Sequence, residues 1–383
     1  MLSDLIIPSQ ESTSNYQKLD SSLPFSEYIT QCQKLISERR LDLKQKKGDP
    51  KQIIDANSPY ELHPTHFTNQ SEKCGVILIH GLWDSPFTLK EIAIRLQNNG
   101  ILCRGILLPG HGTRPTDLQK TCYQDWIDTV RYAVDSLQQQ VEKVYLIGYS
   151  AGATLSIYQA LSQQNIAGLV ALAPAIRINP LVDLIFNWHY FTKWLSRRST
   201  WIYVEEENDY AKYRSIGFNP AFQIFKLTQA LKKRYKHQSL TCPLLMVASE
   251  DDETISASAA MQFFKKTTST HNQFILYSTK HKKKDDNRIE LRNSAYPQLN
   301  IKNFSHVALP FSPENTHYGM HGDYSNASHP ADHVIYGAYN RVTERFYNQF
   351  QHLGLSNNYK RELTYNPDFD FLADKIVTFI KHN

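Results

Sequence analysis

The pattern of apolar and polar positions divides the chain into distinct textures. Up to about residue 60 it is polar, apart from one amphipathic stretch from Phe25 to about Lys44. There Tyr28, Cys32, Leu35, Ile36 and Leu41 fall near helical spacing. From Cys74 onward, short apolar runs alternate with helical patterns. Gly75-Val76-Ile77-Leu78-Ile79 has no polar break, as expected of a strand buried on both faces of a parallel sheet. A helix is expected over 86–98, with Pro86 suited to its first turn, then a strand over 101–108 closed by Pro109-Gly110-His111-Gly112. Residues 123–140 place Trp126, Val130, Ala133 and Leu137 on one helical stripe, 143–149 read as a strand, 151–163 as a helix and 169–173 as a strand. Such alternation predicts an α/β protein with a doubly wound, mostly parallel sheet and right-handed crossovers.

The alternation breaks at residue 176. Residues 176–240 are rich in aromatics and helix formers, and the strand series resumes at 243–248. An excursion of that size above the C-terminal edge of a sheet predicts a helical cap. Residues 299–304 are strand-like and read as the last strand, 307–368 form a second, irregular insertion, and a closing helix is expected at about 369–381. The expected organisation is an N-terminal helical extension over 1–72 and one α/β domain over 73–383, with insertions at about 176–240 and 307–368.

Composition adds limits. The 383 residues are 41% hydrophobic and 21% charged, which suits a globular protein with a sizeable core. A formal charge of +5 is mild and dispersed, so no concentrated basic face or reading module points to nucleic acid. The densest run, Lys280-His281-Lys282-Lys283-Lys284, is answered at once by Asp285 and Asp286. It reads as a solvated loop, with weak contact to an anionic membrane surface as the sharper alternative. Five scattered cysteines without a CxxC spacing argue against a disulfide framework and a structural zinc site, and reduced thiols in a cytoplasm are the simplest account. The N-terminus lacks the features of a signal peptide, and no window approaches the ~20 apolar residues of a membrane span. Nothing in the sequence bears on oligomeric state.

Candidate chemistry enters with Gly148-Tyr149-Ser150-Ala151-Gly152. A serine between two glycines, straight after an apolar strand and before a helix, is the pattern of a nucleophile elbow. The turn is too tight for side chains at the flanking positions, and the helix N-terminus behind it favours developing negative charge. A hydroxyl alone is a poor nucleophile, so a base and an orienting acid are expected downstream in the order Ser, Asp, His. After the 243–248 strand, Asp252-Glu253-Thr254-Ile255 fits the Asp-x-x-Ile form of the acid turn. Asp252 is preferred to Asp251, and Glu250 and Glu253 are read as solvated neighbours. Ser305-His306-Val307 follows the 299–304 segment directly, which makes His306 the candidate base; the competing reading is a satisfied loop histidine. Imidazole titrates where proton shuttling works.

A tetrahedral intermediate needs two backbone donors. One is the amide of Ala151; the other, from the loop after 75–79 where His80-Gly81-Leu82 sits, is the amide of Leu82. His80 is read as holding that loop, and His111 as capping its turn. Two weaker signals remain. The aromatic stretch 184–191 reads as cap core, with acyl-pocket lining as the alternative. The pairs His317…His321 and His329…His333 invite a metal reading, but Gly319, Gly322 and Pro330 argue against a helix presenting either pair.

Together, Leu78-Ile79-His80-Gly81-Leu82, Pro109-Gly110-His111-Gly112, Gly148-Tyr149-Ser150-Ala151-Gly152, Asp252-Glu253-Thr254-Ile255 and Ser305-His306-Val307 resemble the α/β-hydrolases. The likeness is to their carboxylesterase, monoacylglycerol-lipase and lysophospholipase branch, also catalogued as serine aminopeptidase-like hydrolases, and covers roughly 75–313 and the final helix. The resemblance implies the α/β-hydrolase fold and cleavage of lipid-like or small aliphatic esters through an acyl-enzyme on Ser150. It implies no metal or organic cofactor. An acyltransferase, a thioesterase or a peptidase would carry the same residues, and a catalytically silent binding module would share the fold.

Overall fold

The structure, a computed structural model, describes residues 22–44, 48–65, 74–163, 165–177, 201–280, 286–324, 334–339, 341–354 and 358–383. Among the described residues, twelve strands run in chain order: β1 (Tyr60–Leu62), β2 (Cys74–Ile79), β3 (Leu102–Ile106), β4 (Lys143–Tyr149), β5 (Ile166–Leu172), β6 (Trp201–Tyr203), β7 (Ile216–Gly217), β8 (Leu244–Ser249), β9 (Gln273–Ser278), β10 (Ile289–Asn293), β11 (Val334–Gly337) and β12 (Tyr359–Glu362). The α-helices are α1 (Phe25–Arg39), α2 (Leu41–Lys44), α3 (Pro50–Asn57), α4 (Lys90–Gln97), α5 (Pro115–Leu118), α6 (Tyr123–Gln138), α7 (Ala151–Ser162), α8 (Phe218–Tyr235), α9 (Ala257–Lys265), α10 (Arg341–His352) and α11 (Phe369–His382).

The main sheet has eight strands in the order β1-β3-β2-β4-β5-β8-β9-β10. Every pairing in it is parallel except that of β1 with β3. From β2 the chain moves outward to β3 and then returns to the other side of β2 as β4. The strand order therefore reverses between β2 and β4, and the crevice at their C-terminal ends is where ligands bind in open sheets of this kind.

The apolar runs of the central strands have no polar break because both faces are covered. On β2, Ile77 and Ile79 pack into one core and Val76 and Leu78 into the other. The same division repeats on β4 and β8, as a period of two requires. The first core is closed by Trp126 and Val130 of α6, Leu155 of α7, Leu227 of α8 and Phe263 of α9, and the second by Ile92 and Leu96 of α4 with Leu372 and Ile376 of α11. Among the described residues, no helix is long and apolar enough to cross a membrane.

Several elements differ from the sequence expectation. The first helix stops at Arg39, because Arg40 turns extended and buries its guanidinium. That group bonds Asp42, the Asn57 side chain at 2.7 Å and the carbonyl of Tyr210 at 2.8 Å. Residues 60–62 supply an edge strand of the main sheet, anchored where fully buried Arg104 meets Glu61 at 2.7 Å. Residues 299–304 are not a strand. Asn300 takes a left-handed φ of 55° that breaks the extended run, and Ile301 makes only isolated bridges to Tyr296 and Tyr336. The sheet closes instead with β9 and β10. The second insertion holds a parallel β11–β12 pair and α10 rather than irregular chain. Of residues 176–240, where a cap was expected, the β6–β7 pair and α8 are described; the 184–191 stretch, His329, His333 and most of the 280–284 run lie outside the described residues.

Candidate active site

The elbow between β4 and α7 is set by sterics. A Cβ at Gly152 would lie 2.0 Å from the Ile79 carbonyl oxygen, and one at Gly148 would lie 2.3 Å from that of Gly152. Only glycine lets α7 approach β2 so closely. Ser150 takes φ 53°, ψ −114°, a region that costs a non-glycine residue roughly 1–3 kcal/mol. The turn is held by the Ser150 amide on the Leu172 carbonyl at 2.9 Å and by the Thr154 hydroxyl on the Ala175 carbonyl at 3.0 Å.

The sequence-predicted side chains converge on this turn. His306 Nε2 lies 2.9 Å from Ser150 Oγ, and its Nδ1 lies 2.6 Å from Asp252 Oδ2. The Asp252 side chain is wholly buried, and its Oδ1 accepts from the amides of Thr254 at 2.8 Å and Ile255 at 2.9 Å. With Oδ2 left for Nδ1–H, Nε2 is the acceptor facing the serine hydroxyl. Asp251 accepts from the Ser294 hydroxyl at 3.1 Å instead. Tyr149, inside the elbow motif, stacks on His306 with ring centroids 5.4 Å apart and donates its hydroxyl to the His306 carbonyl at 3.1 Å.

The loop after β2 is pinned from both sides. His80 Nδ1 lies 2.7 Å from the Gly81 carbonyl, and its Nε2 accepts the Leu108 amide at 3.1 Å. His111 Nε2 accepts the Trp83 amide at 3.2 Å, reaching well beyond the turn it was expected to cap. Burial lowers His80 to about 4, and burial together with the neighbouring His80 lowers His111 well below its ordinary value. Both rings are therefore neutral and can accept a backbone N–H. Trp83 pays for the bend with φ 60°. Leu82 lies between these fixed points, and a Cβ on Gly81 would be 3.4 Å from Ser150 Cβ, so the loop runs directly over the elbow. Ala151 opens α7, where the first amides have no intrahelical acceptor.

Two features escaped the sequence. Glu253, expected to be solvated, turns its carboxyl inward beside the His306 amide. His317 is buried between Asp209, at 3.1 Å, and Asp323, and Tyr318 donates to both Asp209 oxygens at 2.8 and 2.7 Å. Burial alone would raise the Asp209 carboxyl, but the His317 and Tyr318 bonds outweigh it and hold it below the usual range. The cluster ties Asp209 to the 317–323 stretch. Among the described residues, no group of His, Cys, Asp or Glu side chains is placed to hold a metal ion.

A family model described as serine aminopeptidase, S33, matches residues 70–281, more than half of the chain. The thermostable monoacylglycerol lipase of Bacillus sp. (strain H-257) is 23% identical over 186 residues, covering 48% of this chain and 73% of that protein. A solved structure from work on LipS and LipT, two metagenome-derived lipolytic enzymes, matches with a TM-score of 0.49 and 18% identity over 58% of this chain and 86% of that one. The monoacylglycerol lipase of Paleococcus ferrophilus matches with a TM-score of 0.46 and 17% identity over 57% and 88%. The chain belongs to the serine aminopeptidase S33 family of α/β-hydrolases.

Proposed function

We propose that this protein hydrolyses carboxylic esters through an acyl-enzyme on Ser150, with His306 as general base and Asp252 as its orienting acid. The observation that carries the reading is the unbroken Ser150–His306–Asp252 line, 2.9 and 2.6 Å, at the point where the strand order reverses. Ser150 Oγ attacks the ester carbonyl while His306 Nε2 takes its proton, and Asp252 supports the imidazolium that forms. His306 then protonates the leaving alcohol and activates a water that releases the acid. The amides of Leu82 and Ala151 stabilise the oxyanion, each such donor being worth about 3–4 kcal/mol in other hydrolases. The Trp83 amide already donates to His111, which favours Leu82 as the donor from that loop.

The substrate class we favour is a monoacyl, lipid-like ester, supported by the name of the Bacillus relative. Five cysteines without disulfides suit a reducing compartment, and we place the enzyme in the cytoplasm. Residues 73–383 act as one catalytic unit under this reading. A panel of p-nitrophenyl esters from acetate to palmitate, run beside amino-acid p-nitroanilides, tests it. Ester turnover that rises with chain length and exceeds anilide turnover is expected. Faster cleavage of the anilides would replace the esterase reading with a peptidase one.

A further inference from the structure

We propose that Glu253 is a positioning residue for His306, gripping its backbone amide from the loop that carries Asp252. The proposal rests on the triad reading above. Glu253 Oε2 accepts the His306 amide at 3.4 Å, a long contact, while Oε1 is buried without a hydrogen-bond partner. On the other side of the same residue, the Tyr149 hydroxyl holds the His306 carbonyl at 3.1 Å. The neighbouring Ser305 hydroxyl bonds the Leu363 carbonyl, which brings the end of β12, and with it Glu362, against this loop. His306 is thus held through both backbone groups as well as through its ring.

The position matters because the imidazole must serve Asp252 and Ser150 at once, and a displacement of about 1 Å can lower a catalytic rate about 100-fold. Charge decides the form in which Glu253 does this. Asp252, Glu253 and Glu362 converge, and Asp252 must stay ionised to support the imidazolium. Burial first, then the charges of Glu362 and Asp252, push the Glu253 carboxyl well above the usual range. Both effects favour its protonated, uncharged form. In that form its carbonyl oxygen accepts the His306 N–H, and no second anion sits beside the imidazole. Tyr149 also faces the cluster, and beyond Glu362 stands Glu344, whose Oε2 accepts the Glu362 amide at 3.2 Å. Because the folded protein holds this proton more tightly than the unfolded chain, the stability it contributes is full below the ordinary glutamate range. That contribution is lost as pH rises through the raised value.

The test compares wild type, Glu253→Ala and Glu253→Gln, with kcat expressed per site titrated by a fluorophosphonate. Glu253→Ala is expected to lower kcat about tenfold while KM stays within about twofold. Glu253→Gln should restore most of that loss, since its amide oxygen accepts the His306 N–H without adding a charge. Melting temperature should fall more steeply with rising pH in wild type than in Glu253→Gln. If Glu253→Ala does not fold, Glu253→Met, similar in length and lacking the acceptor, takes its place with the same expected loss. An unimpaired Ala or Met variant overturns the proposal, as does a Gln variant no better than Ala or an identical pH slope of stability. A wild type that neither labels nor turns over ester would remove the hydrolase reading itself; a labelled, active wild type with an unimpaired Ala variant removes only this one.

Discussion

Replacing Ser150 by alanine should lower ester hydrolysis by a factor on the order of 10^5 to 10^6, the scale seen when the nucleophile of a comparable triad is removed. The substitution deletes one oxygen, the atom 2.9 Å from His306 Nε2. It leaves intact the bonds that hold the turn, which run through the Ser150 backbone and Thr154. The strained φ of 53° is imposed by α7 closing on β2 across Gly152, so alanine must adopt it as serine does. Stability should therefore change by less than about 0.5 kcal/mol, and kcat beside a melting curve separates a chemical loss from an unfolded variant. Residual activity above the water reaction would come from the oxyanion donors and substrate binding.

The second large effect falls on the acid. Asp252→Asn should lower kcat about 10^4-fold, whereas Asp251→Asn should stay within about threefold. The hydrogen bonds give the reason. Asp252 Oδ1 already accepts two amides, Thr254 and Ile255, so the carbonyl oxygen of an asparagine must settle there. Its NH2 then faces His306 Nδ1, which can only accept, and the ring proton moves to Nε2. An Nε2 that carries a proton cannot take one from Ser150. Asp251 instead meets Ser294, away from the imidazole. Single-turnover rates for the two variants check the assignment, and a larger loss in Asp251→Asn would reverse it.

How much of this was legible in the sequence depended on whether the constraint is local. The elbow was legible because one turn demands two glycines and a serine at fixed spacing, flanked by an apolar strand and a helix. The central strands were legible because burial on both faces removes every polar residue from β2 and β5. The edges were not. β10, Ile-Glu-Leu-Arg-Asn, is half-exposed and lacks the unbroken apolar run of the central strands, while the 299–304 segment is turned aside by the left-handed Asn300. Glu253 looked solvated because nothing near it in sequence shows that Glu362 and the His306 amide come to meet it. The bond between Asp209 and His317 spans 108 residues and leaves no periodic trace in either segment.

The central claim is that Ser150 is the nucleophile, and covalent capture tests it most directly. Wild-type protein is treated with a fluorophosphonate, digested and read by mass spectrometry. One phosphonyl adduct is expected, on the peptide containing Ser150, formed in step with loss of ester turnover and absent from Ser150→Ala. Inactivation with no adduct on that peptide, or with the adduct on another serine, would contradict it.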